Sequence, residues 1–247
     1  MNWEQAIAEV SARVVHVECP NSSGTGFLAF YNADGSWCAI ATAAHVVSYA
    51  DNWQQPIRIK NEFGSITLQP DSRVVYVDPL RDSAVVFFFK HTLQIPQDPI
   101  KLRPLNSPCN TGTPLGWLGY PAIAPNTLCF FSGRVSATHP SNRAYFVDGV
   151  AIHGVSGGPV FHVEGKGKDG HAEIIGAISS YIPNLSTGQS LPGLLLSTDV
   201  SQFHDAAQSV KNMDDALAAK AQLEATAGTA PTGVIGGSPI GSGPIGG

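Results

Sequence analysis

Hydrophobic and polar positions change their period three times along the chain. Over residues 2–12, Trp3, Ala6, Ile7 and Val10 recur at three- and four-residue steps, which predicts a short amphipathic helix. The pattern then shortens into β-branched and aromatic runs, and residues 14–17, 26–31, 37–42, 57–59, 65–68, 74–77 and 84–89 read as strands. Asn32-Ala33-Asp34-Gly35 is a hairpin turn signal between Tyr31 and Trp37. The run Val85-Val86-Phe87-Phe88-Phe89 has to be buried on both faces or covered by a partner. Residues 91–112 carry His91, Pro96, Pro99, Pro104 and Pro108 and read as a connector. Further strands are expected over 115–118, 128–135, 145–147, 160–163, 174–180 and 194–197. From residue 199 the period returns to that of a helix, with Phe203, Ala207, Val210, Met213, Leu217 and Ala221 on one stripe.

Short strands separated by Gly, Pro and Asn turns indicate an all-β chain, here two six-stranded β-barrels packed together and followed by a C-terminal helix. The expected divisions are 1–95 for the first helix and barrel, 96–112 for the connector, 113–200 for the second barrel, 201–227 for the C-terminal helix and 228–247 for a tail. The tail holds eight Gly and three Pro in twenty positions without a charge, so it cannot bury a core and is expected to be disordered. Its Ile residues and the helix stripe are where a partner would dock.

Composition narrows the function classes. A length of 247 residues allows one large domain or two small lobes. Fourteen basic against nineteen acidic residues leave a net charge of −5, which gives no electrostatic footprint for nucleic acid. There is no run of about 18 apolar residues for a membrane span. Cys19, Cys38, Cys109 and Cys129 are sparse and form no CxxC, which argues against a zinc site or redox motif and predicts free thiols in a reducing compartment. No basic region followed by an apolar stretch begins the chain, so the expected location is cytoplasmic, or secreted if a signal precedes residue 1.

Three short segments carry chemistry. In Gly154-Val155-Ser156-Gly157-Gly158-Pro159 a serine sits in a glycine-rich turn that exposes backbone amides. A serine hydroxyl is a weak nucleophile until a base takes its proton, and the oxyanion that follows needs two N–H donors, which Gly154 and Ser156 could supply. His45 follows the small residues Thr42-Ala43-Ala44, where a second lobe could reach it; a half-buried structural histidine is the alternative. Asp82 opens the apolar strand Ser83-Ala84-Val85-Val86 and, if buried, requires a partner such as a histidine N–H; a turn aspartate is the alternative, and Asp78 is its rival. The order is His45, Asp82 after 37 residues, and Ser156 after 74 more, with the first two in one lobe and the serine in the other.

Thr42-Ala43-Ala44-His45, Asp82-Ser83-Ala84 and Gly154-Val155-Ser156-Gly157-Gly158-Pro159 closely resemble the trypsin-like serine peptidases of the HtrA/Deg-type branch, supported by Ser23-Gly24-Thr25-Gly26-Phe27, Gly119-Tyr120-Pro121 and Ile175-Gly176-Ala177-Ile178-Ser179. The resemblance covers about residues 12–200. It implies a chymotrypsin-like double β-barrel and hydrolysis of polypeptides without a cofactor or metal. His45 would be general base, Asp82 its orienter, Ser156 the nucleophile, and the Gly154 and Ser156 amides the oxyanion hole. Val150, Ala151, His153, Ser179, Ser180 and Tyr181 would line the substrate pocket, uncharged at Val150 and Ala151 and narrowed by Tyr181, which favours cleavage after small or medium apolar residues. The chain departs from the secreted trypsin pattern: Val155 rather than an acid precedes Ser156, no cysteine closes the histidine loop, and nothing after residue 200 resembles a PDZ module.

Two other readings compete. Gly154-Val155-Ser156-Gly157-Gly158 also fits the G-x-S-x-G elbow of an α/β-hydrolase esterase, a fold that needs alternating helices and a downstream histidine. A protease-like binding module without catalysis is the other.

Overall fold

The computed structural model describes residues 2–90, 93–139, 141, 143–150, 152–165, 170–184 and 191–228. The tail expected to be disordered lies outside the described residues from position 229, as do His91 and Ala151. Among the described residues, those up to Lys211 form one compact unit and those from Asn212 a second.

Helix α1 (Trp3–Ser11) starts on a capping box, with the Asn2 side chain accepting from the Gln5 amide and the Gln5 side chain accepting in return from the Asn2 amide. Seven strands follow in the first lobe: β1 (Val14–Cys19), β2 (Ser22–Tyr31), β3 (Trp37–Thr42), β4 (Ile57–Asn61), β5 (Gly64–Leu68), β6 (Arg73–Asp78) and β7 (Ser83–Phe89). They pair antiparallel in the order β5-β4-β1-β2-β3-β7-β6. The second lobe is a closed barrel of β8 (Pro114–Gly119), β9 (Cys129–His139), β10 (Ala144–Asp148), β11 (Pro159–Glu164), β12 (His171–Asn184) and β13 (Leu191–Asp199), ordered β10-β13-β12-β11-β8-β9. The two-barrel architecture is as expected. The first sheet, however, holds all seven strands read in the sequence rather than the six of the expected barrel, and among the described residues its end strands β5 and β6 do not pair with each other. This antiparallel plan excludes the α/β-hydrolase reading, which needs strands alternating with helices.

A buried arginine bridges the open seam. The Arg73 guanidinium donates to the carbonyls of Leu68 at 2.9 Å, Gln55 at 2.7 Å and Ala50 at 3.4 Å, with the Asp51 carboxylate 3.7 Å away. It joins the end of β5, the loop before β4 and helix α2 (Ala44–Asn52), which the sequence reading missed and placed at a strand end. Val46 and Val47 read as β-branched continuation, yet Ala44, Val46, Val47 and Ala50 form a buried helical face.

Each lobe has its own core, and a third cluster spans them. It joins Val10 of α1, Val14, Phe27 and Ala29 of the first lobe, Leu118, Phe161 and Ile174 of the second, and Phe203 of the last helix, α3 (Ser201–Gly228). Phe203 meets Phe27 edge to face, with centroids 5.6 Å apart. The expected stripe therefore divides: Phe203, Ala207 and Val210 pack on this core, whereas Met213 and Leu217 are exposed. The run Val85–Phe89 is buried as expected only in part: Val85, Val86 and Phe88 are buried, Phe87 is half-buried and stacked on Trp37, and Phe89 is exposed, β7 lying between β3 and the edge strand β6. The connector is tied down on Ile174 of β12, whose carbonyl accepts the Arg103 N–H at 2.8 Å and whose N–H donates to the Lys101 carbonyl at 2.9 Å. All four cysteines are free thiols. Among the described residues no helix is long and apolar enough to cross a membrane.

Replacing Arg73 by Leu strands three carbonyls and should cost about 3 kcal/mol in urea unfolding. Phe203→Ala should cost ~3–5 kcal/mol while Met213→Ala stays within about 0.5 kcal/mol; equal costs would show that the stripe does not divide as described.

Candidate active site

The three motif residues arrive on different elements. Asp82 sits in the turn before β7 with a φ of 50°, the left-handed region that aspartate tolerates better than most residues. That conformation brings its carboxylate to the start of α2, whose N-cap, Ala43, has no side-chain cap of its own. Asp82 Oδ1 accepts the His45 backbone N–H at 2.9 Å, so a residue of the neighbouring strand caps the helix and meets its positive end. The same carboxylate holds the His45 ring, with Nδ1 at 2.8 Å from Oδ2 and 3.0 Å from Oδ1. A carboxylate is an acceptor, so Nδ1 carries the proton and Nε2 is left as the basic nitrogen. Asp82 Oδ2 also accepts from the Ser179 hydroxyl of β12 at 2.7 Å, a bond that crosses between lobes.

These contacts set the charges. The hydrogen bond to Asp82 raises the His45 pKa above its ordinary 6.5, against the opposing effect of burial. Burial pushes Asp82 upward, but the bonds from the His45 ring, the Ser179 hydroxyl and the His45 amide outweigh it and hold the carboxyl below 3.8. The rival Asp78 accepts from the Leu80 and Arg81 amides and pairs with Arg81 at 2.8 Å, which makes it a turn residue.

The serine loop is a tight turn between β10 and β11. Gly154 and Gly157 have φ values of 92° and 84°, and a Cβ on Gly157 would lie 2.2 Å from the Thr25 carbonyl. The His153 carbonyl accepts from the Ala122 amide at 2.6 Å. All described peptides are trans, so the Gly154 N–H points away from Ala122. The Ser156 carbonyl accepts from the Thr25 amide at 2.8 Å, and the Ser156 hydroxyl donates to the Ser179 carbonyl at 3.4 Å.

His45, Ile152, His153, Ser156, Ile178, Ser179, Ser180 and Tyr181 line one pocket of about 180 Å³. His153 and Tyr181 meet edge to face at 6.4 Å. Of the expected pocket residues, Val150 is exposed and does not line this cavity, Ala151 lies outside the described residues, and Ile152, within the expected stretch from Val150 to His153, does line it, together with Ile178, which was not expected. A larger pocket of about 550 Å³, bordered by His16, Lys60, Tyr120 and Leu128, contains none of the expected residues. The smaller one is the candidate site, because there, among the described residues, a hydroxyl meets an imidazole whose pKa is raised by the carboxylate that orients it. Sequence reasoning missed Thr25 as part of the site, and for Ser179, expected as a pocket residue, it missed the hydroxyl bond to Asp82; the signal at both is a polar residue amid small or apolar strand positions. Among the described residues no group of three or more His, Cys, Asp or Glu converges as a metal site.

A family model described as trypsin-like peptidase domain matches residues 24–166, more than half of the chain. Among solved structures, the fold is similar to that of the M. tuberculosis protease Rv3671c in its inactive form, at 18% identity over 83% of this chain and 92% of that one, with a TM-score of 0.57. It is also similar to a serine endoprotease from Yersinia pestis, at 19% identity and a TM-score of 0.60, covering 85% of this chain and 66% of that longer one. None of the curated proteins matches in sequence.

The stability lent by the raised His45 pKa is full below about 6.5 and fades as pH rises through the folded value; that lent by Asp82 is full above about 3.8 and fades as pH falls through its depressed value. In NMR titration the His45 ring should have its midpoint above 6.5, and Asp82→Asn should lower it. An unmoved midpoint would sever the two residues.

Proposed function

The chain belongs to the trypsin-like peptidase family, and on that premise we propose that it is a serine endopeptidase that cleaves polypeptides through an acyl-enzyme intermediate. The observation that carries this reading is that His45, held by the Asp82 carboxylate, lines the same pocket as Ser156. His45 Nε2 takes the proton from the Ser156 hydroxyl as Oγ bonds to the scissile carbonyl carbon. The negative oxygen is received by the amides of Gly154 and Ser156. The imidazolium, stabilised by Asp82, gives its proton to the leaving amine as the C–N bond breaks. Water, deprotonated by the same imidazole, then opens the ester and restores the serine.

The pocket supports the preference for small or medium apolar residues. Its described walls are Ile152, Ile178, Ser179, Ser180 and Tyr181, with no carboxylate to pair a buried Lys or Arg, and its volume is about 180 Å³. His153 at the rim is the one group that would favour Glu or Gln.

Ser156→Ala, His45→Ala and Asp82→Asn should each lower kcat/KM on a peptide amide by about 10⁴-fold, non-additively, while Asp78→Asn stays near wild type. Activity retained in Ser156→Ala would overturn the serine mechanism. Matched chromogenic peptides should rank Val, Ala and Leu above Arg and Lys at the cleaved bond; a preference for Arg or Lys would reject this pocket.

A further inference from the structure

The oxyanion amides are useful only if the turn that carries them is held, and glycine does not hold itself. Gly154 has no Cβ to restrict its dihedrals, and its φ of 92° lies where most residues are strained. Both peptides flanking it are fixed from outside. The 153–154 peptide is fixed by the Ala122 amide on the His153 carbonyl at 2.6 Å. The 154–155 peptide is fixed by a side chain of the opposite lobe: the Thr25 hydroxyl donates to the Gly154 carbonyl at 2.8 Å. The Thr25 hydroxyl oxygen in turn accepts the Tyr120 N–H at 2.9 Å, and Tyr120 is two residues before the Ala122 amide. One hydroxyl thus stands between the turn and the segment that fixes its other peptide.

The rest of Thr25 is engaged in the same task. Its amide donates to the Ser156 carbonyl at 2.8 Å, and its carbonyl accepts from the Thr42 hydroxyl at 2.7 Å, three residues before His45. It is fully buried, so neither Gly154 nor Tyr120 has water to replace it. We propose that Thr25 is a positioning residue for the reaction, its hydroxyl fixing, from the lobe that carries His45, the 154–155 peptide that lies between the two oxyanion amides. This rests on the serine-peptidase reading given above.

The hydroxyl acts on transition-state charge and touches neither the pocket walls nor the His45–Asp82 pair. Its loss should therefore fall on kcat rather than KM and leave the pH midpoint of kcat/KM in place. Thr25→Val keeps the shape and removes the hydroxyl; Thr25→Ser keeps the hydroxyl. On a chromogenic peptide with Val at the cleaved bond, Thr25→Val should lower kcat by about 10²-fold with KM within about threefold, and weaken a peptide boronate by the same factor as kcat/KM. Thr25→Ser should stay within about threefold of wild type. If Thr25→Val does not fold, Thr25→Cys, a weaker donor of similar size, should lose about tenfold in kcat. The proposal is overturned if the hydroxyl-free or thiol variant keeps wild-type kcat, if the loss is in KM alone, or if Thr25→Ser is as impaired as Thr25→Val. A wild-type protein inert toward every peptide would instead overturn the serine-peptidase reading beneath it.

Discussion

The Asp82 carboxylate is the constraint from which the rest of the site is arranged. It receives three donors: the His45 ring, the His45 backbone amide and the Ser179 hydroxyl. The first fixes the tautomer of the imidazole, the second anchors the first turn of α2 and with it the direction of the His45 side chain, and the third ties the pair to the second barrel. Burial alone would favour a protonated acid here; charge-assisted hydrogen bonds, roughly twice as strong as neutral ones, and the helix end reverse that balance. The left-handed backbone at Asp82 costs on the order of 1 kcal/mol or more, a strain sustained because the surrounding bonds specify it.

Such an arrangement demands that the two lobes keep their registry to fractions of an ångström, and the fold supplies this from behind. Phe27, Leu118, Phe161, Ile174 and Phe203 belong to one continuous cluster, so separating the lobes would expose large apolar surface. The first part of α3 is thus part of the peptidase core. In front, the serine loop is held by β2 through Thr25, and the histidine helix is held by Asp82. His45 and Ser156 are referred to the same small set of backbone positions around Thr25, Thr42 and Ser156.

What was legible in the sequence follows from how local each signal is. Strands such as Trp37–Thr42 and Ser83–Phe89 announce themselves by β-branched and aromatic runs, and the Gly154–Pro159 turn by glycines whose backbone excludes other residues. The α2 helix was hidden because its start is capped by a residue 37 positions from His45, which no local pattern reveals. Arg73 carries no local signal, since its role depends on carbonyls of three separate segments. Ser179 was placed by resemblance in the substrate pocket, where it does lie; its hydroxyl bond to Asp82 depends on the packing of two lobes and is invisible to spacing. Val150 was expected at the pocket base by counting back from Ser156, but the chain there runs at the surface.

The account's central claim is that Asp82, acting through His45, makes Ser156 a nucleophile. The most direct measurement is the pH-dependent rate at which a fluorophosphonate labels the intact protein, with the adduct located by peptide mass mapping, in wild type and Asp82→Asn. The account predicts an adduct on Ser156 alone, a wild-type rate that climbs through a midpoint above 6.5, and much slower labelling of Asp82→Asn at every pH. An adduct on another residue, no adduct at all, or an Asp82→Asn rate equal to wild type would contradict it.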